Sequence, residues 1–168
     1  PLLAGHSMGG AVALQAALDH PTLSSALLLV SSGATLRVAQ MVIETVRDHF
    51  DALPQLMGEM AFSRETPRPL VEESLATLFG APRDVVLTDL QACNGWSVEP
   101  RLADLNIPVT ALVGKDDLLT PPSLARRLKD RLPAAQVTVL EGVGHMAPSE
   151  ATEAIANRLA KATGGRGG

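Results

Sequence analysis

A serine flanked by glycines lies near the start of the chain, in the segment GHSMG at positions 5–9. An apolar stretch precedes it, and a run rich in alanine and leucine follows. A serine hydroxyl is a weak nucleophile until a neighbouring base takes its proton. A strand-to-helix turn of this type exposes the serine oxygen beside a helix N-terminus, which favours developing negative charge. The segment predicts a nucleophilic Ser7, with Gly5 and Gly9 small enough for strand and helix to approach closely.

Two later loops contain an acid and a base that could serve this serine. They are GKDD at positions 114–117 and EGVGH at positions 141–145, and each follows an apolar segment of strand length. Parallel strands place their carboxyl ends at one edge of a sheet. We therefore expect Ser7, Asp117 and His145 to lie together, with Asp116 as an alternative acid.

The elements that must position these residues alternate between strands and helices. Apolar runs predict strands over 2–4, 25–30, 108–113 and 136–140, and helices over 9–18, from 121 and from 148. This alternation predicts an α/β fold, a mostly parallel sheet with helices on both faces. Thr120 is predicted to cap a helix that has Pro121 at its first position. Glu150 and Glu153 are predicted in the first turn of the last helix, where acidic side chains are favoured.

Residues 35–97 have a different pattern. Apolar side chains recur there at helical spacing, and proline and glycine breaks divide the segment into three or four predicted helices. We predict that residues 1–34 and 98–163 form one α/β core and that 35–97 form a helical insertion over one end of its sheet. The phenylalanines and methionines of the insertion would form its own core, with a minority facing a substrate. The glycine-rich tail, 164–168, is predicted to be disordered.

Composition narrows the classes of function. The chain has 168 residues, 46% of them apolar and 19% charged, with a net charge of −4. These values are typical of one globular domain, and the absence of a basic block argues against a nucleic-acid partner. No apolar run is long enough to span a bilayer. The single cysteine, Cys93, excludes an internal disulfide and favours a reducing compartment, so we expect a cytoplasmic protein without a membrane partner.

Several other polar residues are weaker candidates. Ser31, Ser32 and Trp96 could line a pocket, although each is more often structural. His6 is expected to support the turn at Ser7 rather than to react. The spacing of the histidines indicates no metal site, and we expect neither a metal nor an organic cofactor.

The segments GHSMGG, VGKDDLLTPP and GVGHMAPSE resemble the nucleophile, acid and histidine segments of the α/β-hydrolase superfamily. The resemblance extends along nearly the whole chain, from the fifth strand of that fold to its last helix, and implies a helical cap at 35–97. It implies that Ser7 is the nucleophile, His145 the general base and Asp117 the acid that orients the histidine, since the Gly-x-x-Asp pattern is counted from Gly114. It also implies that the backbone N–H of Met8 is an oxyanion donor.

One part of the family pattern has no counterpart in these residues. The family has four strands and a helix before the nucleophile, including a loop that carries a second oxyanion N–H. We therefore expect the chain to be the C-terminal half of such a fold, truncated at Pro1. Its first strand should expose an apolar edge, and residues 1–168 alone should be poorly soluble with little turnover. Loss of one oxyanion donor alone costs about 3–4 kcal/mol of transition-state stabilisation.

The activity implied by the resemblance is hydrolysis of a small carboxylic ester or lactone through an acyl-enzyme. Hydrolysis of a carbon–carbon bond in a vinylogous diketone, or cofactor-free haloperoxidase chemistry, would use the same three residues. Haloalkane dehalogenases and epoxide hydrolases are disfavoured because they have a carboxylate where Ser7 stands. A non-catalytic binding or receptor module on the same fold is the alternative from a different class.

Overall fold

The core of the protein is a four-stranded parallel sheet. A computed structural model describes residues 1–78 and 80–164. The strands are β1 (Leu2–His6), β2 (Ala26–Val30), β3 (Val109–Gly114) and β4 (Gln136–Leu140), in the spatial order β1-β2-β3-β4 with every pair parallel. The predicted parallel sheet is confirmed. Phe79 and all of the predicted disordered tail except Gly164 lie outside the described residues.

Eight α-helices accompany the sheet in the part of the chain that is described. They are α1 (Met8–Asp19), α2 (Gln40–Asp48), α3 (Leu53–Met60), α4 (Arg68–Leu78), α5 (Arg83–Cys93), α6 (Pro122–Arg131), α7 (Ala147–Glu150) and α8 (Thr152–Gly164). Two 3₁₀ helices, Phe50–Ala52 and Glu99–Asp104, complete the list. Among the described helices, none is both long and apolar enough to cross a membrane.

The two faces of the sheet have separate hydrophobic cores. Leu27 and Leu29 of β2 point to one face and pack in a cluster with Leu14 of α1 and Leu128 of α6. Leu28 and Val30 of the same strand point to the other face, which is covered by α7 and α8. Side chains alternate between faces along a strand, so a strand covered on both sides must be apolar throughout. This explains the continuous apolar run of β2. The outer strand β1 pairs only with β2 in the described residues, and its side chains are half-buried or exposed.

Residues 35–97, called the helical segment from here on, leave the sheet after β2 and return before β3. Four α-helices form within it, where three or four were predicted, and a cluster centred on Val42, Val46 and Leu53 joins α2, α3 and α5. Thr35 and Ser97 form an antiparallel bridge at its base, and their hydroxyl oxygens lie 2.8 Å apart. The two ends of the segment therefore meet.

The last helix differs from its prediction. The chain makes one short helix, α7, breaks at Ala151, and then starts α8. Glu153 lies in the first turn of α8, as expected. Glu150 lies in the first turn of the four-residue α7, which it also ends, and its carboxylate accepts hydrogen bonds from the N–H groups of Ser63 and Gly144.

Two glycines allow α1 to pack closely on β1 and on the loop after β2, and one of them is not the residue predicted. A Cβ at Gly5 would lie 2.2 Å from the carbonyl oxygen of Gly9, and a Cβ at Gly10 would lie 2.6 Å from the side chain of Ser32. A Cβ at Gly9 would meet nothing within 4 Å. The prediction that Gly9 is required to be small is therefore wrong, and Gly10 has that role.

Alanine substitutions at Gly5 and Gly9 should have opposite effects on stability. Gly5→Ala forces backbone atoms apart, and we expect it to lower the free energy of unfolding by about 3 kcal/mol. Gly9→Ala adds a methyl group in open space within a helix, and we expect a gain of about 0.5–1 kcal/mol. Urea denaturation of the two variants and the wild type measures both changes. Equal destabilisation by the two substitutions would contradict this account of the turn.

Candidate active site

Ser7 occupies the tight turn between β1 and α1. Its φ is 51° and its ψ is −121°, a conformation that costs energy for a residue with a side chain. The N–H of Ser7 donates to the carbonyl oxygen of Val30 at 2.9 Å. Its carbonyl oxygen accepts from the N–H of Gly10 at 3.0 Å and from the hydroxyl of Ser32 at 2.8 Å. The strained backbone is thus held from both sides, which fixes the position of the side chain.

The three predicted residues meet at the carboxyl edge of the sheet. The Nε2 atom of His145 lies 2.9 Å from the Oγ of Ser7, although the two residues are 138 positions apart. The Nδ1 atom of His145 lies 3.1 Å and 3.0 Å from the two carboxylate oxygens of Asp117. His145 is 5% exposed and Asp117 only 1%. In this arrangement Nε2 can accept the serine proton while Nδ1–H donates to the carboxylate.

Asp117, and not Asp116, contacts the histidine. The Oδ1 atom of Asp117 also accepts the backbone N–H groups of Leu119 and Thr120, at 3.0 Å and 2.7 Å. Asp116 is exposed, and its Oδ2 accepts the hydroxyl of Ser63 at 2.6 Å. Of the two aspartates, Asp117 is therefore the one that contacts the imidazole of His145.

The environment of Asp117 favours its ionised form. Burial alone would raise the pKa of this carboxyl group. Hydrogen bonding to His145, the charge of that imidazole and the hydrogen bonds from Thr120 outweigh burial, and the pKa lies below its ordinary value. The carboxylate is therefore charged at neutral pH and can orient and stabilise an imidazolium.

This lowered pKa predicts how stability changes with pH. A group whose pKa is lower in the folded state contributes stability above its unfolded pKa, about 3.9 for Asp, and loses it as the pH falls through the folded value. The stability difference between wild type and Asp117→Asn should therefore be full at pH 6 and should shrink as the pH falls below about 4. Urea denaturation of both proteins across this range measures it. A difference that stays constant down to pH 2 would contradict the prediction.

The contacts that Thr120 makes beside Ser7 were not predicted from the sequence. Thr120 does not cap α6, which begins after Pro121 without a side-chain capping bond. Its buried hydroxyl lies 2.8 Å from Asp117 Oδ2, 3.0 Å from His145 Nδ1 and 2.9 Å from the carbonyl oxygen of Ser31. Its position three residues after Asp117 could have indicated these contacts. The helix-capping pattern before Pro121 gave a competing interpretation.

His6 supports the loop that carries His145. The Nε2 atom of His6 lies 2.8 Å from the backbone carbonyl oxygen of His145, and the two rings are 5.0 Å apart. Burial, and then the neighbouring charge of His145, lowers the pKa of His6 below its ordinary value. A neutral His6 can donate Nε2–H to this carbonyl at physiological pH, which agrees with the supporting position expected for it.

A cavity of about 170 Å³ opens beside Ser7 and His145. Most of its lining is apolar and comes from the helical segment and the loop after Asp117; the lining includes Val42, Met57, Met60, Leu90, Cys93 and Leu118. Ser31, Ser32 and Trp96 are not among its lining residues. The indole N–H of Trp96 instead donates to Gln15 at 3.1 Å. Such a cavity suits a small apolar group held against the serine.

The first turn of α1 lies next to the Ser7 hydroxyl. The carbonyl oxygen of Ser7 accepts the first hydrogen bonds of this helix, from Gly10 and Ala11. The N–H of Met8 precedes these donors, at a position where a helix leaves its N–H groups without intrahelical acceptors. Among residues 1–78 and 80–164, no three His, Cys, Asp or Glu side chains are arranged to hold a metal ion.

Several proteins with similar sequences are named as hydrolases. RutD of Caulobacter vibrioides, named as a candidate carbamate hydrolase, is 28% identical over 158 residues, which cover 84% of this chain and 56% of RutD. RutD of Klebsiella pneumoniae is 29% identical over 154 residues, covering 85% of this chain and 58% of that protein. The chain thus spans a little more than half the length of these relatives.

Solved structures show the same architecture. A thermophilic esterase superposes with a TM-score of 0.83 at 29% identity, covering 94% of this chain and 63% of the esterase. Est816, described as an N-acyl homoserine lactone degrading enzyme, superposes with a TM-score of 0.80 at 25% identity, covering 94% of this chain and 65% of Est816. The model of the alpha/beta hydrolase family matches residues 1–158. By fold and by sequence, the chain belongs to the alpha/beta hydrolase family.

Proposed function

We propose that the protein is a serine hydrolase that cleaves a carboxylic ester or lactone through an acyl-enzyme. The observation that carries this proposal is the continuous hydrogen-bonded chain from Ser7 through His145 to Asp117 beside an apolar cavity. A binding module would not need a buried carboxylate and an imidazole aligned behind a half-buried serine hydroxyl.

In the proposed mechanism, the Oγ of Ser7 attacks the carbonyl carbon while Nε2 of His145 takes its proton. The negative charge that develops on the carbonyl oxygen faces the N–H of Met8 and the N-terminus of α1. The tetrahedral intermediate collapses, and the imidazolium gives its proton to the leaving alcohol. Water, activated by His145, then hydrolyses the acyl-enzyme. Asp117 holds the imidazole in place and stabilises its cation throughout.

The helical segment would act as a cap over this site, and its cavity wall would hold the acyl group. The relatives support acyl transfer in general, since one similar structure is called an esterase and another a lactone-degrading enzyme. The name of RutD makes a carbamate the second substrate class to test. Because the chain covers 56% of RutD, the activity is proposed for the whole protein that contains these residues.

The test uses the protein translated from the complete reading frame, beside residues 1–168 alone. Both are assayed on 4-nitrophenyl acetate, butyrate and octanoate, a γ-lactone and a 4-nitrophenyl carbamate. A fluorophosphonate probe followed by peptide mass spectrometry identifies the nucleophile. We expect ester turnover by the complete protein, little by residues 1–168, and probe attached to the peptide that contains Ser7. A folded complete protein with no turnover and no label would overturn the proposal in favour of a binding module.

The hydroxyl of Thr120 should contribute to the rate. Thr120→Val keeps the shape of the side chain but removes the hydroxyl, whose single proton can be donated to Asp117 or to Ser31 in a hydrogen bond worth about 1 kcal/mol. We expect kcat to fall about tenfold, whereas Thr120→Ser, which keeps the hydroxyl, should remain within about threefold of the wild type. Steady-state hydrolysis of 4-nitrophenyl butyrate measures both. Equal activity of the two variants would show that the hydroxyl has no such effect.

A further inference from the structure

Glu150 binds three groups that belong to two different parts of the chain. Its Oε1 accepts the backbone N–H of Ser63 at 2.8 Å and the hydroxyl of Thr66 at 2.5 Å. Its Oε2 accepts the backbone N–H of Gly144, next to His145, at 3.0 Å. One carboxylate thus joins the helical segment to the histidine loop, across 87 positions of sequence in the case of Ser63.

Residues 61–66, which lie in the connection between α3 and α4, form a strap across the loops that contain Asp117 and His145. The carbonyl oxygen of Ala61 accepts the N–H of Met146 at 3.0 Å, on the far side of His145 from Gly144. The hydroxyl of Ser63 donates to Asp116, next to Asp117, at 2.6 Å. A Cβ at Gly144 would lie 2.6 Å from the N atom of Ser63, so only glycine permits this approach. The strap therefore contacts residues on both sides of His145 and the residue before Asp117.

The strap begins where α3 ends, and α3 forms one wall of the cavity. Helix α3 ends at Met60, and both Met57 and Met60 line the cavity with Ser7 and His145. A group that fills the cavity contacts these methionines, one residue before the strap begins. Methionine is flexible and adapts to what it packs against, so this wall can respond to the shape of a bound group.

We propose that Glu150 is a positioning residue that couples occupation of the cavity to the alignment of His145 and Asp117 through the strap. This inference rests on the proposed hydrolase function. Substrate packed against Met57 and Met60 holds α3 and the strap in place, and Glu150 transmits that position to the backbone beside His145. Substrates whose acyl group fills the cavity and packs against Met57 and Met60 should then have a higher kcat than smaller substrates, and not only a lower KM.

The test compares Glu150→Gln with the wild type in the protein from the complete reading frame. A glutamine amide has one acceptor oxygen and a donor NH₂ group, so at least one of the N–H groups of Ser63 and Gly144 loses its acceptor. We expect kcat per titrated active site to fall tenfold or more on 4-nitrophenyl butyrate, with KM changed less than threefold. We also expect the rise of kcat from acetate to butyrate to flatten, and Glu150→Asp to restore part of it.

The matched control is Glu153→Gln, an exposed glutamate in the first turn of α8, which should leave kcat and its acyl-length dependence unchanged. If Glu150→Gln does not fold, Ser63→Ala is tested in the same way, because it removes the bond between the strap and Asp116. Because kcat is calculated per titrated active site, an effect on the alignment of the site is distinguished from a loss of folded protein. Wild-type kcat and acyl-length dependence in these variants, with Ser7→Ala inactive, would overturn the positioning role alone. Wild-type turnover by Ser7→Ala would overturn the proposed function itself.

Discussion

Ser7→Ala should abolish hydrolysis of every ester that the wild-type protein cleaves. Its hydroxyl is the one that His145 Nε2 reaches, at 2.9 Å, and no acyl-enzyme can form without it. Removing the nucleophile of such a triad lowers kcat by roughly 10⁶-fold, so we expect turnover at the level of the assay background. Initial rates on 4-nitrophenyl butyrate, with protein concentration set by absorbance, measure the loss.

Ser123→Ala is a suitable control for this experiment. Ser123 is exposed on α6 and contributes nothing to the cavity lining described above, so its substitution should leave kcat and KM as they are. The urea midpoint of Ser7→Ala should stay near or above that of the wild type, because the substitution adds no atoms to the strained turn. More than about one per cent residual activity in Ser7→Ala, without contaminating enzyme, would assign the chemistry to another group.

The second large effect is expected at the acid. Asp117→Asn keeps the size of the side chain but removes the charge that stabilises the imidazolium, and it disfavours the tautomer in which Nε2 accepts a proton. We expect kcat to fall by roughly 10⁴-fold at pH 7. Stopped substrate assays over long incubation times, referred to titrated active sites, measure a change of this size.

Asp116→Asn separates the two neighbouring aspartates. Asp116 does not contact His145, and its bond to Ser63 acts only through the strap, so we expect a loss of no more than about tenfold. A larger loss in Asp116→Asn than in Asp117→Asn would reverse the assignment of the acid. The ratio between the two variants is therefore more informative than either value alone.

Local patterns in the sequence were sufficient to predict the sheet and the three polar residues that meet at its edge. The apolar run over 25–30 and the glycine turns after each strand are properties of short segments, and they predicted β2 almost to the residue. Once the strands are parallel, their carboxyl ends share one edge, so the proximity of Ser7, Asp117 and His145 follows from topology. The roles assigned to these three residues in the reaction stay a proposal.

The predictions were wrong or incomplete for residues whose local pattern suggests one position while the side chain also binds a long-range partner. Thr120 before Pro121 has the pattern of a helix cap, yet its hydroxyl binds groups of Ser31 and His145, the latter 25 positions away. Glu150 is a first-turn acid, as its pattern predicts, but of the short α7, and it also binds the strap, which the pattern did not predict. In both cases the long-range partners are donors and acceptors, buried around Thr120 and half-buried around Glu150, that come together only after the chain has folded.

The sequence by itself determined the parallel sheet, the helical segment between β2 and β3, and the set of chemically capable residues, because strand period, helix period and turn residues are encoded within a few positions. Tertiary structure alone decided that Gly10 rather than Gly9 must be small, that the cavity wall comes from Met57 and Met60, and that Glu150 joins the strap to the histidine loop. These properties depend on distances between elements, and such distances are set by the packing of the whole fold.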